Sequence, residues 1–254
     1  MKKRAPFQGV RQIARYNARF YLAAPFVCAA LFSIAKNRAM PRKAGVLLNA
    51  GGVLSAWWTV SSLLVSHWVY DRSPLYDWRW IEEFLGRAPR HWANLHCGLD
   101  ESSPALRELF PDSSGQSLDF FDPNFMSEPA IAIARREQKS IATDDAAASI
   151  DFRKFPHSDN CLDTIFLIFS AHEIRDAKLR AHFFREIHRV LQSGGRVLLV
   201  EHPRNFANFA AFGPGFFHFY SRAHWRNLAR ETGFAILQED AITPFVRLWL
   251  LTKI

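Results

Sequence analysis

The sequence predicts an α/β fold: a mostly parallel sheet with a C-terminal antiparallel hairpin, preceded by an N-terminal apolar helical hairpin. Three observations carry that prediction. From residue 91 onward, apolar runs of strand length alternate with amphipathic segments of helical period, the pattern of a sheet covered by helices. The last two such runs, 235–239 and 246–251, are joined by a turn around Thr243 and Pro244, as in a hairpin. The first 70 residues hold two long apolar stretches and ten Lys and Arg but no Asp or Glu.

The first stretch, 20–35 (FYLAAPFVCAALFSIA), would cover about 24 Å as a helix, short of a hydrocarbon core of about 30 Å. Pro25 lies inside it, and Arg19 and Lys36 close its ends. The second, 44–70, carries no formal charge and exceeds the roughly 20 residues that cross a bilayer. Its Gly45, Gly51 and Gly52 would admit a close neighbouring helix, and Trp57, Trp58, Trp68 and Tyr70 suit a membrane interface. Lys36, Arg38, Arg42 and Lys43 fill the connection, and the N-terminus is equally basic. The positive-inside rule keeps both segments on one side, which an embedded or interfacial hairpin allows and a two-span hairpin does not. A pair of core helices in a soluble protein is the other reading. The net charge of +8 resides wholly in this region, since residues 71–254 come close to −2. An anionic lipid surface is therefore the expected partner and nucleic acid is not.

Residues 71–90 read as a connecting helix, with Trp78, Ile81, Phe84 and Leu85 at helical spacing and stops at Gly86 and Pro89. Strands are expected at 92–97, 117–121, 164–169, 196–200, 235–239 and 246–251, and helices at 104–110, 127–138, 177–191 and 224–232. The chain thus divides into 1–70, 71–90 and a catalytic domain, 91–254. A 49% apolar composition excludes wholesale disorder. Three distant cysteines, Cys28, Cys97 and Cys161, exclude a disulfide framework and a Cys-rich zinc site.

The residues that carry chemistry cluster after strands. Asp122 follows an apolar run and precedes Pro123, which suits either an acid that accepts from nucleoside hydroxyls or a turn and helix cap. Ser170-Ala171-His172-Glu173 follow one strand and Glu201-His202 the next, both at the edge where open α/β sheets bind ligands. His172 or His202 could take a proton from a phenol or enol near neutral pH; helix capping is the bland alternative. The scattered histidines show no metal-ligand spacing, so no metal is expected. Residues 205–220 (NFANFAAFGPGFFHFY) suit either a lid on an apolar acceptor or a segment packed against the N-terminal hairpin.

Two runs carry a family resemblance. FPHSDNCLDTIFLIFSAHEI places a Pro and an acidic turn before Asp163 and a strand, and LQSGGRVLLVE follows as a helix end, a Gly-Gly turn and a strand, with Gly194 or Gly195 reversing the chain. Their order, over about 160 positions, resembles a class I S-adenosylmethionine-dependent methyltransferase. The resemblance implies a Rossmann-like domain with S-adenosylmethionine as cofactor. It places the cofactor loop at 93–100, where the sequence departs from the family. Asn94 replaces the usual acid, Gly98 alone survives of the alternating glycines, and His96 and Asp100 hold the flanking glycine places. It further implies a ribose contact at Asp122, an adenine edge near Asp145 and Ala146, a cofactor contact at Ser170, and catalytic roles for His172, Glu173 and His202. The function implied is methylation of a hydrophobic or aromatic small molecule or lipid, by a membrane-associated enzyme with a cytoplasmic catalytic domain. The alternative is an inactive methyltransferase-like scaffold at the membrane. A nicotinamide oxidoreductase would need a Gly-x-Gly-x-x-Gly turn that the first strand lacks.

Overall fold

The computed structural model describes residues 4–140 and 147–254. The chain forms two compact units, Arg4–Ser73 with Asn205–Phe216, and Pro74–Arg204 with Phe217–Ile254.

The first unit is helical. It contains α1 (Gln8–Tyr16), α2 (Ala18–Ala35) and α3 (Arg42–His67), followed by a π-helical turn, Trp68–Arg72. Small residues set the approach of α2 to α3: a Cβ on Gly52 would fall 2.8 Å from the Phe32 ring, and one on Gly45 would fall 3.2 Å from the Ala35 carbonyl. The Tyr21 and Ser62 hydroxyls meet at 3.0 Å. Asp71 caps the open N-terminus of α1, accepting from the amides of Gly9 (2.6 Å) and Val10 (3.0 Å). Leu22, Phe26, Val46, Leu47, Val53 and Leu64 remain exposed. Both α2 and the helix beginning at Arg42 are long and apolar enough to cross a membrane by length and composition.

The aromatic segment joins this unit through α8 (Phe206–Phe212). Trp57 Nε1 donates to the Ala210 carbonyl (3.0 Å), Ser61 Oγ donates to the Ala211 carbonyl (2.8 Å), and Trp58 meets Phe209 edge to face. Of the two readings of 205–220, packing against the hairpin is thus the one adopted by Asn205–Phe216. After α8, Gly213 takes φ 55° and ψ −137°, a conformation open to glycine, and a Cβ there would fall 2.4 Å from Trp58.

The second unit is a seven-stranded sheet flanked by helices. In chain order its elements are α4 (Trp80–Leu85), β1 (His91–His96), α5 (Ser102–Leu109), β2 (Ser114–Asp119), α6 (Pro129–Ser140), β3 (Ala148–Ser149), β4 (Leu162–Ile168), α7 (Ala177–Val190), β5 (Leu191–Glu201), α9 (Arg222–Glu231), β6 (Phe234–Thr243) and β7 (Val246–Lys253). The strand order is β3-β2-β1-β4-β5-β7-β6; β1 to β5 run parallel, and β7 is antiparallel to both β5 and β6. Ile165–Leu167 and Val197–Val200 are continuous apolar runs because both faces of the sheet are covered, and all seven residues are fully buried. Phe183, Phe184 and Ile187 from α7 and Trp225 from α9 complete the core.

The structure departs from the sequence reading at several elements: β3 and α8 were not expected, only Trp80–Leu85 of the connecting segment 71–90 is α-helical, and β2 and the end of α7 have other bounds. β2 ends at Asp119, before the expected 121, because the Asp119 carboxylate accepts from the Phe121 amide (3.0 Å) and turns the chain. Helix α7 ends at Val190 without a glycine. Leu191 is already extended and pairs with Leu162, the next pair is Thr164 with Arg196, and the extra residues on β5 bulge out where Gly194 takes φ +70°. The Gly-Gly pair therefore shapes a bulge inside a long strand and does not terminate the helix.

Candidate active site

The sheet's strand order reverses between β1 and β4, so the loops that leave these strands diverge and open a crevice at their carboxyl ends. Ser170 ties the loop after β4 to strand β1, its hydroxyl donating to the Leu95 carbonyl (2.8 Å). This buried bond gives Ser170 a structural task at the position where a cofactor contact was expected.

After β1 the chain builds a buried polar cluster in place of a glycine-rich turn. Asn94 Nδ2 faces Asp100 Oδ1 (3.0 Å) and the hydroxyls of Ser102 and Ser103 (each 2.9 Å). The Asp100 carboxylate also accepts from the Ser103 amide (2.9 Å) and the Ser117 hydroxyl (2.6 Å), so it caps α5 and ties that helix to β2. Burial opposes its ionisation, but the nearby His96 and the serine donors hold the carboxyl below its ordinary range. Gly98 faces helix α6, since a Cβ there would lie 3.4 Å from Ala134 Cβ. A side chain there would make ordinary contact with α6, so the packing leaves the expected approach to the cofactor as it stood.

The acid at the tip of β2 is Asp119. Arg135 from α6 donates to both of its oxygens (2.9 and 2.8 Å) and to the Cys97 carbonyl (3.0 Å), linking the β1 and β2 loops. Asp122 lies three residues beyond the strand, and its Oδ1 accepts from the Asn124 amide (2.9 Å), the turn role that was its other reading. The sequence held a signal for Asp119, two acids three residues apart at a strand end, and the register decides between them. The expected adenine-edge residues Asp145 and Ala146 lie outside the described residues.

S-adenosylmethionine requires acceptors for its ribose hydroxyls and amino group, and donors for its carboxylate. Asp119 stands at the β2 tip, while Asn94 Oδ1 and both ring nitrogens of His96 are buried without hydrogen-bond partners among the described residues.

After β4 and β5, His172 and Glu201 form a buried pair, with Nδ1 2.7 Å from Oε2, and the His172 amide donates to Oε1 (3.2 Å). Nε2 of His172 lies 3.3 Å from Glu173. Burial alone would disfavour the charged imidazole, but the two carboxylates overcome it and push the His172 pKa up to about 10. His172 is thus an imidazolium at neutral pH and cannot accept a proton there. His202 is the opposite case. Its Nδ1 lies 2.7 Å from the Phe245 carbonyl, its ring is sandwiched by Phe169 (4.8 Å) and Phe219 (4.9 Å), and burial pushes its pKa down to about 4. It is neutral, with the proton on Nδ1. Phe169 reaches this stack by taking φ 52°, a conformation rare for an aromatic residue.

His218 was not singled out by the sequence, since nothing in the aromatic run marks it. The fold brings it beside His172, with ring centroids 5.0 Å apart, and burial together with the His172 charge pushes its pKa down to about 4. Arg175 Nη1 donates to the backbone carbonyls of both His172 (3.2 Å) and His218 (2.8 Å). His172, Glu173 and His218 carry potential ligand atoms all within 4.8 Å of one another, a juxtaposition that chain spacing does not reveal.

Comparison with known proteins bears on the fold. Residues 125–199 match a family model described as a methyltransferase domain. A demethylmenaquinone methyltransferase of Thermus thermophilus is 26% identical over 131 residues, which cover 50% of this chain and 56% of that protein. The chain therefore spans about half the length of the curated relative it matches. An S-adenosylmethionine-dependent methyltransferase of Aquifex aeolicus shares the fold at a TM-score of 0.56 and 16% identity, over 73% of this chain and 95% of its own. A Pyrococcus horikoshii protein does so at 0.52 and 17%, over 72% and 93%. The sheet unit shares the fold of these structures, and residues 125–199 match the methyltransferase domain model.

Proposed function

We propose that the protein is an S-adenosylmethionine-dependent methyltransferase that acts at a membrane on a hydrophobic acceptor, a phenol or enol of quinone-like character. The observation that carries the reading is the reversal of strand order between β1 and β4, with Asp119 at the tip of β2 paired to His96 on β1 and Asn94 two residues before it. Asp119 accepts from the ribose hydroxyls, and Asn94 and His96 serve the amino-acid end. S-adenosylmethionine bound there supplies an electrophilic methyl group on a sulfonium.

The chain's own part is to orient the acceptor, exclude water and remove a proton. Neutral His202, fixed by the Phe245 carbonyl and two phenyl rings, is the base: Nε2 takes the acceptor's hydroxyl proton. The ionised acceptor is then nucleophilic at its oxygen or at the adjacent carbon. The exposed apolar helices α2 and α3 and the ten Lys and Arg in the sequence of residues 1–70 support membrane association, with the sheet unit on the cytoplasmic side. The quinone named for the Thermus thermophilus relative supports an acceptor of that class.

An inactive scaffold has one observation in its favour: Asp100 closes the β1 loop on itself with internal bonds. Isothermal titration of the full chain in detergent separates the two readings. An enzyme binds S-adenosylmethionine and transfers its labelled methyl group to a hydroquinone acceptor. A chain that binds no cofactor is the scaffold.

A further inference from the structure

We propose that His172, Glu173 and His218 bind one divalent transition-metal cation, with Glu201 orienting His172. The donor atoms of the three residues lie within 4.8 Å of one another. His172 Nε2 and Glu173 Oε1 stand 3.3 Å apart, close to the separation of neighbouring ligands around tetrahedral zinc when each bond is about 2.0–2.1 Å. A cation between them would displace the Nε2 proton of His172 to solvent, leaving the Nδ1 proton in its bond to Glu201, and that edge of the site would need no rebuilding.

The surroundings match what a metal site needs. Metal-bound histidines donate their second ring N–H to a carboxylate, which fixes the tautomer and the ring plane. His172 Nδ1 meets Glu201 Oε2 at 2.7 Å, and Glu201 is itself 1% exposed, so its aim is fixed by packing. Glu173 Oε2 is buried with no hydrogen-bond partner, an acceptor that a cation would satisfy. The two segments that carry the ligands are braced by one guanidinium, because Arg175 binds the backbone carbonyls of both His172 and His218. Two imidazoles with one carboxylate suit zinc, cobalt, nickel or ferrous iron, whereas magnesium and calcium prefer oxygen ligands throughout. The carboxylates of Glu173 and Glu201 balance a charge of +2. Three protein donors leave a coordination position open, as in catalytic rather than structural sites.

The experiment uses the full chain in detergent, stripped with a chelator and titrated with cobalt(II) chloride, followed by zinc competition. One equivalent should bind, produce the visible absorption of low-coordinate cobalt, and be displaced by zinc. His218→Ala, a partly exposed change, should weaken binding about 100-fold or more. Glu201→Gln, which keeps all three ligands, should weaken it about 10- to 100-fold at unchanged stoichiometry. Titration with S-adenosylmethionine on the same samples reports folding and tests the proposed function separately. A chain that binds S-adenosylmethionine but no cobalt, or binds cobalt equally well after both His218→Ala and Glu173→Gln, overturns the metal site.

Discussion

His172 and His202 lie at the ends of neighbouring strands, yet their surroundings divide their protonation, because carboxylates face the first and a carbonyl with two aromatic rings faces the second. If His202 is the base, His202→Ala should lower turnover by about 10²–10⁴ with cofactor affinity unchanged, and raised pH should partly restore it by ionising the acceptor beforehand. Steady-state kinetics across pH checks this; full activity in the variant removes His202 from the chemistry. The ribose contact can be located by calorimetry on two acids. Asp119→Asn should weaken S-adenosylmethionine binding by about 1.5–3 kcal/mol, whereas Asp122→Asn should change it little, because Asp122 lies three residues beyond the strand tip. Equal losses would place the cofactor between them. His202 and His224 also set an acid limit. Burial, with Arg180 donating to His224 Nε2 (3.2 Å), pushes both pKa values down to about 4, while the unfolded chain titrates near the ordinary value of about 6.5. The unfolded state therefore binds more protons between these values, and stability present above pH 6.5 is lost as the pH falls toward 4. Melting temperature should decline across that window, and a flat profile would contradict the burial argument.

At the scale of elements, the boundaries legible from apolar periodicity were those set by local chemistry. β1, β4, α7, α9 and the closing hairpin lie where the pattern placed them, to within a few residues. β2 moved because ladder pairing of His96 with Asp119 and a side-chain turn outweigh the appeal of Phe120 and Phe121 as strand residues. Packing between elements was legible only in part, in the small residues of α3 and in one of the two readings of 205–220. Arg180 on α7 is 2% exposed, donates to the Ile174 carbonyl and the Tyr220 hydroxyl (2.7 Å), and lies over the Tyr220 ring. Its sequence context is that of a surface residue on an amphipathic helix. Arg180→Ala should cost about 2–4 kcal/mol in urea unfolding, since it strands buried acceptors and leaves a cavity. In the helical unit, Gly213→Ala puts a Cβ into the Trp58 ring and a side chain at positive φ. It should detach α8 from α3, read as faster amide exchange across 206–212 with the sheet unit unaffected.

For the whole molecule, the proposed anchoring rests on apolar burial at about 25 cal/mol per Å² from α2 and α3, to which the basic side chains add an attraction that salt screens. The full chain should therefore sediment with membranes and stay bound in high salt; release by salt alone would reduce the contact to charge. What the sequence determined by itself was the alternation of strands and helices, the antiparallel closing pair, the family resemblance of 155–201 and the concentration of charge before residue 71, all of which depend on neighbours in the chain. The tertiary structure alone decided that His218 joins His172 and Glu173, that Asp119 rather than Asp122 tips β2, that Asp100 and Ser170 are held by internal bonds, and that Asn205–Phe216 packs on α3. Each of these depends on strand register or on the path of a crossover, which brings together residues far apart in the chain, and a side chain's protonation and partners exist only once those approaches are made.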